Sequence, residues 1–367
     1  MNNRIIYFIK SLSLKQIIFS SITVISLLLY LVLTVWSNHQ VAALTDQQAA
    51  KRWDKEGGSA QVSCFFAENT EVDEYMLMSF ERQLEQSLLE VLQQEETEGE
   101  KDKRLLIDAF SSLGSITITS EKGKLENVSA VGVGGDFFLF HPLQLVNGGY
   151  FSGDDLMQDS VILDEEAAWQ LFGSNDIAGM SVMIGNVPHY VAGVIKRQEG
   201  RFAEGAGLNK TVVYVSYTSL DSYGTSDGIN VYEVVAPNPV KGFVYNAVKE
   251  KLGVTEDKMV VVENSSRYTL PALLPVLLDF GTRSMQNTAV KFPYWENIGR
   301  GWEDVKVVIL LFQFILLLLP AGIITVFLII RWKNRNLTMK DIWNFVLESK
   351  DKLWRKAWGA KDKWKHF

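Results

Sequence analysis

The chain has 367 residues, 47% of them apolar, and a formal net charge of −7. Its single cysteine, Cys64, excludes an intramolecular disulfide, and a chain of this length can bury an adequate core without one. The charge is divided unevenly, since residues 1–36 carry +3, residues 37–304 carry −18 and residues 305–367 carry +8.

Two long stretches without charged residues predict membrane-spanning helices. They comprise residues 17–36 and residues 307–330. An α-helix rises 1.5 Å per residue, so about twenty apolar residues cross a hydrocarbon core of roughly 30 Å. A cleaved signal peptide is an alternative for the first stretch, but its apolar segment would span only roughly 7–15 residues. The greater length and the interfacial pair Val35-Trp36 favour a retained helix.

Basic residues flank both stretches and set the expected orientation. Arg4, Lys10 and Lys15 precede the first stretch, and residues 331–367 contain eleven Lys or Arg against four Asp or Glu. Lys and Arg are enriched on the cytoplasmic side of membrane proteins. We therefore expect a two-pass protein of the cell membrane, with a cytoplasmic N-terminus (residues 1–16), a cytoplasmic tail and an extracytoplasmic central region.

The central region is predicted to hold an α+β domain. Residues 37–58 are predicted to form a helical stalk, and residues 59–291 alternate strand and helix patterns without a repeat. SAQVSCFF reads as a strand with a buried Cys64, residues 72–93 have helical spacing, and LGSITITS-EKGK-LENVSAVGV reads as a hairpin. The acidic EETEGEKDK predicts a solvated loop or a frayed helix end. The predicted fold class is a mixed α+β extracytoplasmic domain between two transmembrane α-helices.

Acidic residues cluster between positions 147 and 176 and raise the question of a metal or catalytic site. Asp154 and Asp155 follow a turn sequence, and Asp164 stands where a helix N-cap belongs. The remaining signals of that helix are first-turn acids and a C-terminal glycine, namely Glu165, Glu166 and Gly173. These positions favour a structural role for the carboxylates.

Histidines that would complete such a site are few. The chain has four: His39 stands at the exit of the first span, His141 precedes a proline, His189 lies within a predicted strand and His366 lies in the tail. Phosphate-loop, nucleophile-elbow, Cys/His and hydride-cofactor motifs are lacking. We single out no catalytic, cofactor-binding or metal-binding residue and predict that the chain is not an enzyme and holds no cofactor. Metal binding through Asp154, Asp155 or Asp164 would revive the enzymatic interpretation.

Aromatic residues mark the juxtamembrane segment, residues 292–306. Tyr294, Trp295 and Trp302 are typical of an aromatic belt at the membrane surface. The alternative is an amphipathic elbow that couples tilting of the domain to the second helix. Within the second span, Gln313 is predicted to hydrogen-bond a neighbouring helix.

The tail, residues 331–367, is basic and rich in tryptophan. A helical arrangement places Trp343, Leu347, Trp354 and Trp358 near one face. Such a helix is predicted to lie on the cytoplasmic membrane surface, or alternatively to dock a partner subunit. Its positive charge flanks a membrane span, so we expect no nucleic-acid partner.

One stretch of about fifty residues resembles a known family. The sequence GGYFSGDDLMQDSVILDEEAAWQLFGSNDIAGMSVMIGNVPHYVAGVIKRQEG is similar to the periplasmic core domain of MacB-type ABC transporter permeases. The positions that carry the resemblance are Gly148 or Gly149, Phe151, Asp154, 161–163, 171–173, Asp176, Gly179 and 191–194. The YWEN sequence at 294–297 also resembles a stretch before the last helix of two-pass bacterial permease-like proteins.

The resemblance implies a two-lobed outside domain and a place in an ABC transport system. The chain would be a two-pass form lacking the last two transmembrane helices of the family, and without a nucleotide-binding domain. It would relay motion from, or assemble with, a separate ABC ATPase and other permease chains, for export or envelope processes. The alternative function is a two-pass sensor, receptor or scaffold that binds a ligand or partner outside.

Overall fold

The computed structural model describes residues 13–68, 70–92, 104–153, 155–198, 200–208, 210–283, 289–334 and 350. The chain divides into two compact units, one built from Met1–Trp36 with Ile309–Phe367 and the other from Ser37–Val308. The helices are α1 (Leu14–Ala42), α2 (Ala49–Trp53), α3 (Glu74–Leu92), α4 (Phe137–Phe140), α5 (Glu165–Phe172), α6 (Arg201–Gly205), α7 (Tyr217–Tyr223), α8 (Phe243–Lys251), α9 (Leu270–Leu278) and α10 (Tyr294–Asn334). The strands are β1 (Ser59–Phe66), β2 (Ile107–Thr119), β3 (Lys124–Gly135), β4 (Leu145–Gly148), β5 (Ser160–Asp164), β6 (Ser181–Ile184), β7 (Val187–Ile195), β8 (Val212–Ser216), β9 (Thr225–Ser226), β10 (Val231–Pro237) and β11 (Met259–Glu263).

Helices α1 and α10 contain the predicted apolar spans. Their segments Ile17–Ala42 and Tyr294–Ile330 are long and apolar enough to cross a membrane, and the most apolar 18-residue stretches within them have mean hydropathies of 2.4 and 2.8. Most apolar side chains of these segments are exposed, as a lipid environment requires. Within the helical unit, Gln313 Nε2 of α10 donates to Thr34 Oγ1 of α1 at 2.8 Å. The predicted interhelical hydrogen bond of Gln313 is therefore confirmed.

The second unit is organised around one mixed sheet. Its eleven strands follow the order β11-β1-β10-β2-β3-β8-β5-β7-β4, with β6 pairing to β2 and β7 and β9 pairing to β2. The pairs β3–β8 and β5–β7 are parallel, and the other pairs are antiparallel. Helices and strands alternate along the chain between two apolar helices. The predicted fold class is confirmed.

Three hydrophobic clusters pack against this sheet. Helices α3 and α8 cover β1, β10 and β11 with one cluster. A second cluster joins α5 and α7 to β5, β7, β8 and the far ends of β2 and β3. The third cluster packs Phe65 of β1 and Val231 and Val235 of β10 against α2, α4 and the start of α10.

Several local predictions hold because short-range rules determine them. Residues 107–135 form the β2–β3 hairpin, and Cys64 is buried in β1. Asp164 caps α5 by accepting from the Ala167 N–H at 2.7 Å, and Gly173 ends α5 in the left-handed conformation with φ of 74°. The EETEGEKDK stretch and the tail, apart from residues 331–334 and 350, lie outside the described residues.

The membrane-proximal segments differ from the predictions. The segment predicted as a helical stalk breaks after Ala42 into a 3₁₀ turn (Thr45–Gln47) and the short α2, and Ala49 is fully buried. Tyr294 and Trp295 were predicted for an aromatic belt or an elbow, but both are buried in the third cluster. The aromatic-belt prediction is wrong for these two residues because they serve the core of the domain.

Candidate functional site

The central strands carry polar side chains on the face that would be expected to be apolar. Gln61 and Ser63 of β1 and Glu233 of β10 are all buried, and Ser63 lies opposite Glu233 in the antiparallel register. Their alternation with Phe65 and Val235 puts them on the side of the third cluster. Buried polar groups are costly unless they are hydrogen-bonded. We call this set, together with the groups that satisfy it, the polar layer.

The segment that follows α1 is hydrogen-bonded to the polar layer. Gln61 Nε2 donates to the backbone carbonyl of Asp46 at 2.7 Å, and Gln61 Oε1 accepts from the Ala49 N–H at 2.8 Å. Gln47 Nε2 donates to the carbonyl of Trp295 at 3.2 Å. One buried amide of β1 thus fixes the backbone just after α1, and Gln47 links it to the start of α10.

His141 stands at the centre of the polar layer. It follows α4, is fully buried and lies against the Trp295 ring with a centroid distance of 4.3 Å. Its Nδ1 lies 2.9 Å from Asp46 Oδ1, and its Nε2 contacts Glu233 Oε2. Ser63 Oγ donates to the other oxygen of Glu233 at 2.5 Å. One ring therefore joins the segment after α1 to the middle of the sheet.

These contacts keep His141 charged. Burial by itself disfavours the imidazolium, but the carboxylates of Glu233 and Asp46 outweigh it and raise the pKa of His141 to about 9. At neutral pH the ring donates from both nitrogens. The arrangement is a buried carboxylate–imidazolium–carboxylate bridge.

Arg267 carries the polar layer onward to α10. Asn264 Nδ2 donates to Ser63 Oγ at 2.7 Å, and Arg267 Nη1 donates to Asn264 Oδ1 at 3.2 Å. The guanidinium binds both oxygens of Glu296 at 2.7 Å and also contacts Glu303. Burial alone disfavours the cation, but Glu296 outweighs it and raises the pKa of Arg267. Such bidentate pairs are strong and geometrically specific.

A continuous series of polar contacts therefore joins the base of α1 to the first turns of α10 through the central strands. It passes in order through Asp46, His141, Glu233, Ser63, Asn264, Arg267 and Glu296. Separating the two members of a buried ion pair leaves each charge uncompensated. The series therefore resists separation of the backbone segments that it joins. Its chemistry is suited to holding backbone segments in register.

The acids considered from sequence are placed elsewhere. Asp164, besides capping α5, accepts from Arg197 Nη2 at 2.8 Å, and Asp155 Oδ2 accepts from the Ser152 N–H at 3.3 Å. Glu165 and Glu166 occupy the first turn of α5, as predicted. Asp154 lies outside the described residues. Over the described parts of the chain, no group of three or more His, Cys, Asp or Glu is arranged to hold a metal ion.

The histidines also separate. His189 is buried, with Nε2 2.9 Å from Ser219 Oγ, and His39 is exposed on α1. His366 lies outside the described residues. Sequence reasoning missed the role of His141 in the polar layer. The available signal was Glu233, a charged residue in the middle of the otherwise apolar strand INVYEVVA.

The fold and the polar layer define a mixed α/β domain flanked along the chain by two apolar helices. The family model for the MacB-like periplasmic core domain matches residues 57–249, which is more than half of the chain. The chain belongs to this family, and the resemblance found in the sequence is confirmed.

Curated relatives share part of this region. The macrolide export ATP-binding/permease protein MacB of Chromobacterium violaceum is 33% identical over 98 residues, covering 26% of this chain and 15% of the relative. The protein of the same name from Agrobacterium fabrum is 27% identical over 160 residues, covering 41% and 24%. The matched stretches thus span less than a quarter of these relatives, which are ATP-binding/permease proteins by name.

The solved structures to which the chain is similar are distant in sequence. The periplasmic region of MacB from Actinobacillus actinomycetemcomitans is 16% identical with a TM-score of 0.38, covering 64% of this chain and 97% of that one. The extracellular domain of the noncanonic ABC-type transporter YknZ from Gram-positive bacteria is 14% identical with a TM-score of 0.34, covering 55% and 99%.

Proposed function

We propose that the chain is a permease-like subunit or accessory of an ABC transport system, acting in export or another envelope process. It assembles with a separate ABC ATPase and other permease chains and passes motion between its membrane helices and its α/β domain. The names of the curated relatives, ATP-binding/permease proteins, support this assignment.

The polar layer is the observation that carries the proposal. A protein that transmits motion needs a stiff connection between the moving helices and the responding domain, because a soft connection would absorb the displacement. Here Asp46 lies four residues after the end of α1, and Glu296 lies in the first turn of α10. Asp46 is connected to Glu233 of β10 through His141. Glu296 is connected to Ser63 of β1 through Arg267 and Asn264. A shift of either helix base would therefore move the sheet.

In the proposed threading, the two apolar helices span the lipid bilayer of the cell membrane. Both ends of the chain lie in the cytoplasm, and the domain lies outside. Support comes from the basic residues that flank both apolar stretches and from the net charge of −18 between them. A cytoplasmic ATPase would then meet the chain on the side opposite the domain.

The proposal includes no chemistry performed by the chain and no nucleic-acid partner. It is supported by the structural use of the carboxylates at 147–176, since Asp164 is occupied by a helix cap and an arginine. ATP hydrolysis would be supplied by the partner subunit.

Co-purification tests the proposal most simply. The full chain, tagged and extracted from its native membrane in mild detergent, is expected to bring down an ABC ATPase. The pair is then placed in lipid nanodiscs, and ATP hydrolysis is measured for wild type, Glu296→Gln and the matched control Glu126→Gln, whose parent residue forms an exposed pair with Lys124.

Glu296→Gln is expected to keep the ATPase bound and to change its hydrolysis rate, because the link between helix and sheet is loosened on the far side of the membrane. Glu126→Gln is expected to behave as wild type. Failure to recover an ATPase under any extraction condition would favour the sensor, receptor or scaffold alternative.

A further inference from the structure

Helix α9 is apolar on every side, although much of its surface is exposed. Its nine residues, LPALLPVLL, include no polar side chain. Leu273 is buried, whereas Leu270, Leu274 and Leu278, which share a face at helical spacing, are 70%, 54% and 76% exposed. A helix that is hydrophobic all round is normally buried in a core or a membrane. The exposed face therefore calls for an apolar cover.

Polar contacts fix both ends of α9 along α10. Before α9, Arg267 binds Glu296 and Glu303, and Tyr268 Oη donates to the carbonyl of Gly299 at 3.2 Å. After α9, Arg283 pairs with Glu303 and with Asp304. The residues that flank α9 on both sides are therefore bonded to the stretch of α10 between residues 296 and 304.

This stretch of α10 immediately precedes its apolar run. Asp304 lies three residues before Val307, where the predicted span begins, and a helix rises only about 4.5 Å over three residues. If α10 crosses the bilayer as in the proposed function, the pairs of Arg283 with Glu303 and Asp304, and the contact of Arg267 with Glu303, lie within about one helical turn of the point where α10 enters the hydrocarbon. That level is where a helix with an apolar exposed face meets lipid.

The composition of α9 suits lipid better than a protein partner. It offers an exposed row of leucines and no charged group within the helix that would select a particular protein. Pro271 lies in the first turn and lacks an N–H, so one donor that lipid chains could not satisfy is absent there. Arg283 and Asp279 lie just beyond its C-terminal end, where headgroups and water would solvate them.

We propose that α9 is an interfacial membrane helix, lying in the outer surface of the bilayer with Leu270, Leu274 and Leu278 facing the acyl chains. The partner is the lipid surface itself. This inference rests on the proposed function for the membrane threading. It gives the domain a third attachment to the bilayer, beside α1 and α10.

The test uses single cysteine substitutions in the full chain with Cys64→Ala, reconstituted in lipid nanodiscs and labelled with a nitroxide. Reporter sites are Leu274→Cys and Leu278→Cys on α9. Leu156→Cys, from a 97% exposed leucine of the domain, serves as the aqueous control, and Phe314→Cys, from an exposed residue of the second span, serves as the lipid control. Collision with oxygen, which concentrates in lipid, is compared with collision with a water-soluble nickel chelate.

The expected result is that the two α9 labels lose most of the nickel effect seen at Leu156→Cys and show the oxygen preference of Phe314→Cys. Nickel accessibility equal to that of Leu156→Cys would overturn the inference. Exclusion of both reagents would overturn it in favour of a protein that covers α9. If the label at Phe314→Cys is itself accessible to the nickel chelate, the threading in the proposed function fails. If that label shows the oxygen preference of lipid while the α9 labels are accessible to nickel, only the interfacial helix is refuted.

Discussion

At the scale of single residues, the polar layer is held together by His141. The ring is enclosed between two carboxylates and packed against Trp295, so removing it leaves two acidic groups facing each other without a counter-ion. Breaking a buried pair in this way costs about 3–5 kcal/mol. His141→Ala is expected to lower the free energy of unfolding of the domain by that amount.

Denaturant unfolding of the full chain in detergent, followed by tryptophan fluorescence, measures this change. Glu126→Gln, at an exposed ion pair, is the control and is expected to leave the unfolding curve unchanged. A His141→Ala protein within about 0.5 kcal/mol of wild type would show that the ring is not essential to the polar layer.

The charge on His141 also predicts how stability depends on pH. The pKa is raised from 6.5 to about 9 in the native state, because Glu233 and Asp46 outweigh burial. The native state therefore holds this proton more tightly than the unfolded chain does. The resulting stabilisation is fully present below about pH 6.5 and is lost as the pH rises through about 9. Unfolding curves measured across this range should show the decline in wild type and a shallower one in His141→Gln. Equal slopes in the two proteins would contradict the bridge.

Asp108 gives a pH dependence of a different origin. Burial, assisted by the nearby carboxylate of Glu81, raises its pKa to about 7. The native state of this acid binds the proton more tightly, so its cost to stability appears above about pH 4 and is complete above about pH 7. Asp108→Asn is therefore expected to stabilise the domain at about pH 8 and to be neutral at about pH 4. Lower stability of the variant at the alkaline pH would mean that the carboxylate is needed as an anion.

At the scale of elements, the carboxylates at the start of α5 have different structural roles. Asp164 caps the helix and binds Arg197, whereas Glu166 in the same turn is exposed. Loss of an N-cap costs about 0.5–2 kcal/mol. Asp164→Ala is expected to lose at least this much in denaturant unfolding, and Glu166→Ala to lose little. If Asp164→Ala had unaltered stability and the wild-type domain bound a divalent metal, these acids would have to be interpreted as a functional site instead of a structural one.

Elements governed by neighbouring residues were predictable from sequence. The β2–β3 hairpin follows from two alternating strands around Glu121-Lys122-Gly123, and α5 follows from its cap, its apolar spacing and Gly173. The break after Ala42 was not predictable in the same way. Its sequence favours helix, but the burial of Ala49 and the hydrogen bonds to Gln61 override that local preference.

At the scale of the whole molecule, the polar layer could not be found from sequence because its partners are far apart along the chain. His141 meets residues 95 and 92 positions away, and Gln47 meets the carbonyl of Trp295 across 248 positions. Only the sheet order, which puts β1 beside β10, brings these groups together. The family resemblance could indicate the domain type and the YWEN stretch, but not that Glu296 is bound by Arg267.

The central claim is that both helices cross the membrane and place the domain outside, with the polar layer joining the helix bases to the sheet. Labelling of intact cells with a membrane-impermeant maleimide tests the threading directly, using Leu156→Cys in the domain and Lys350→Cys beyond the second span, since Cys64 is buried. The account predicts that Leu156→Cys reacts in intact cells and that Lys350→Cys reacts only after permeabilisation. Protection of Leu156→Cys in intact cells, with Lys350→Cys reactive, would contradict it.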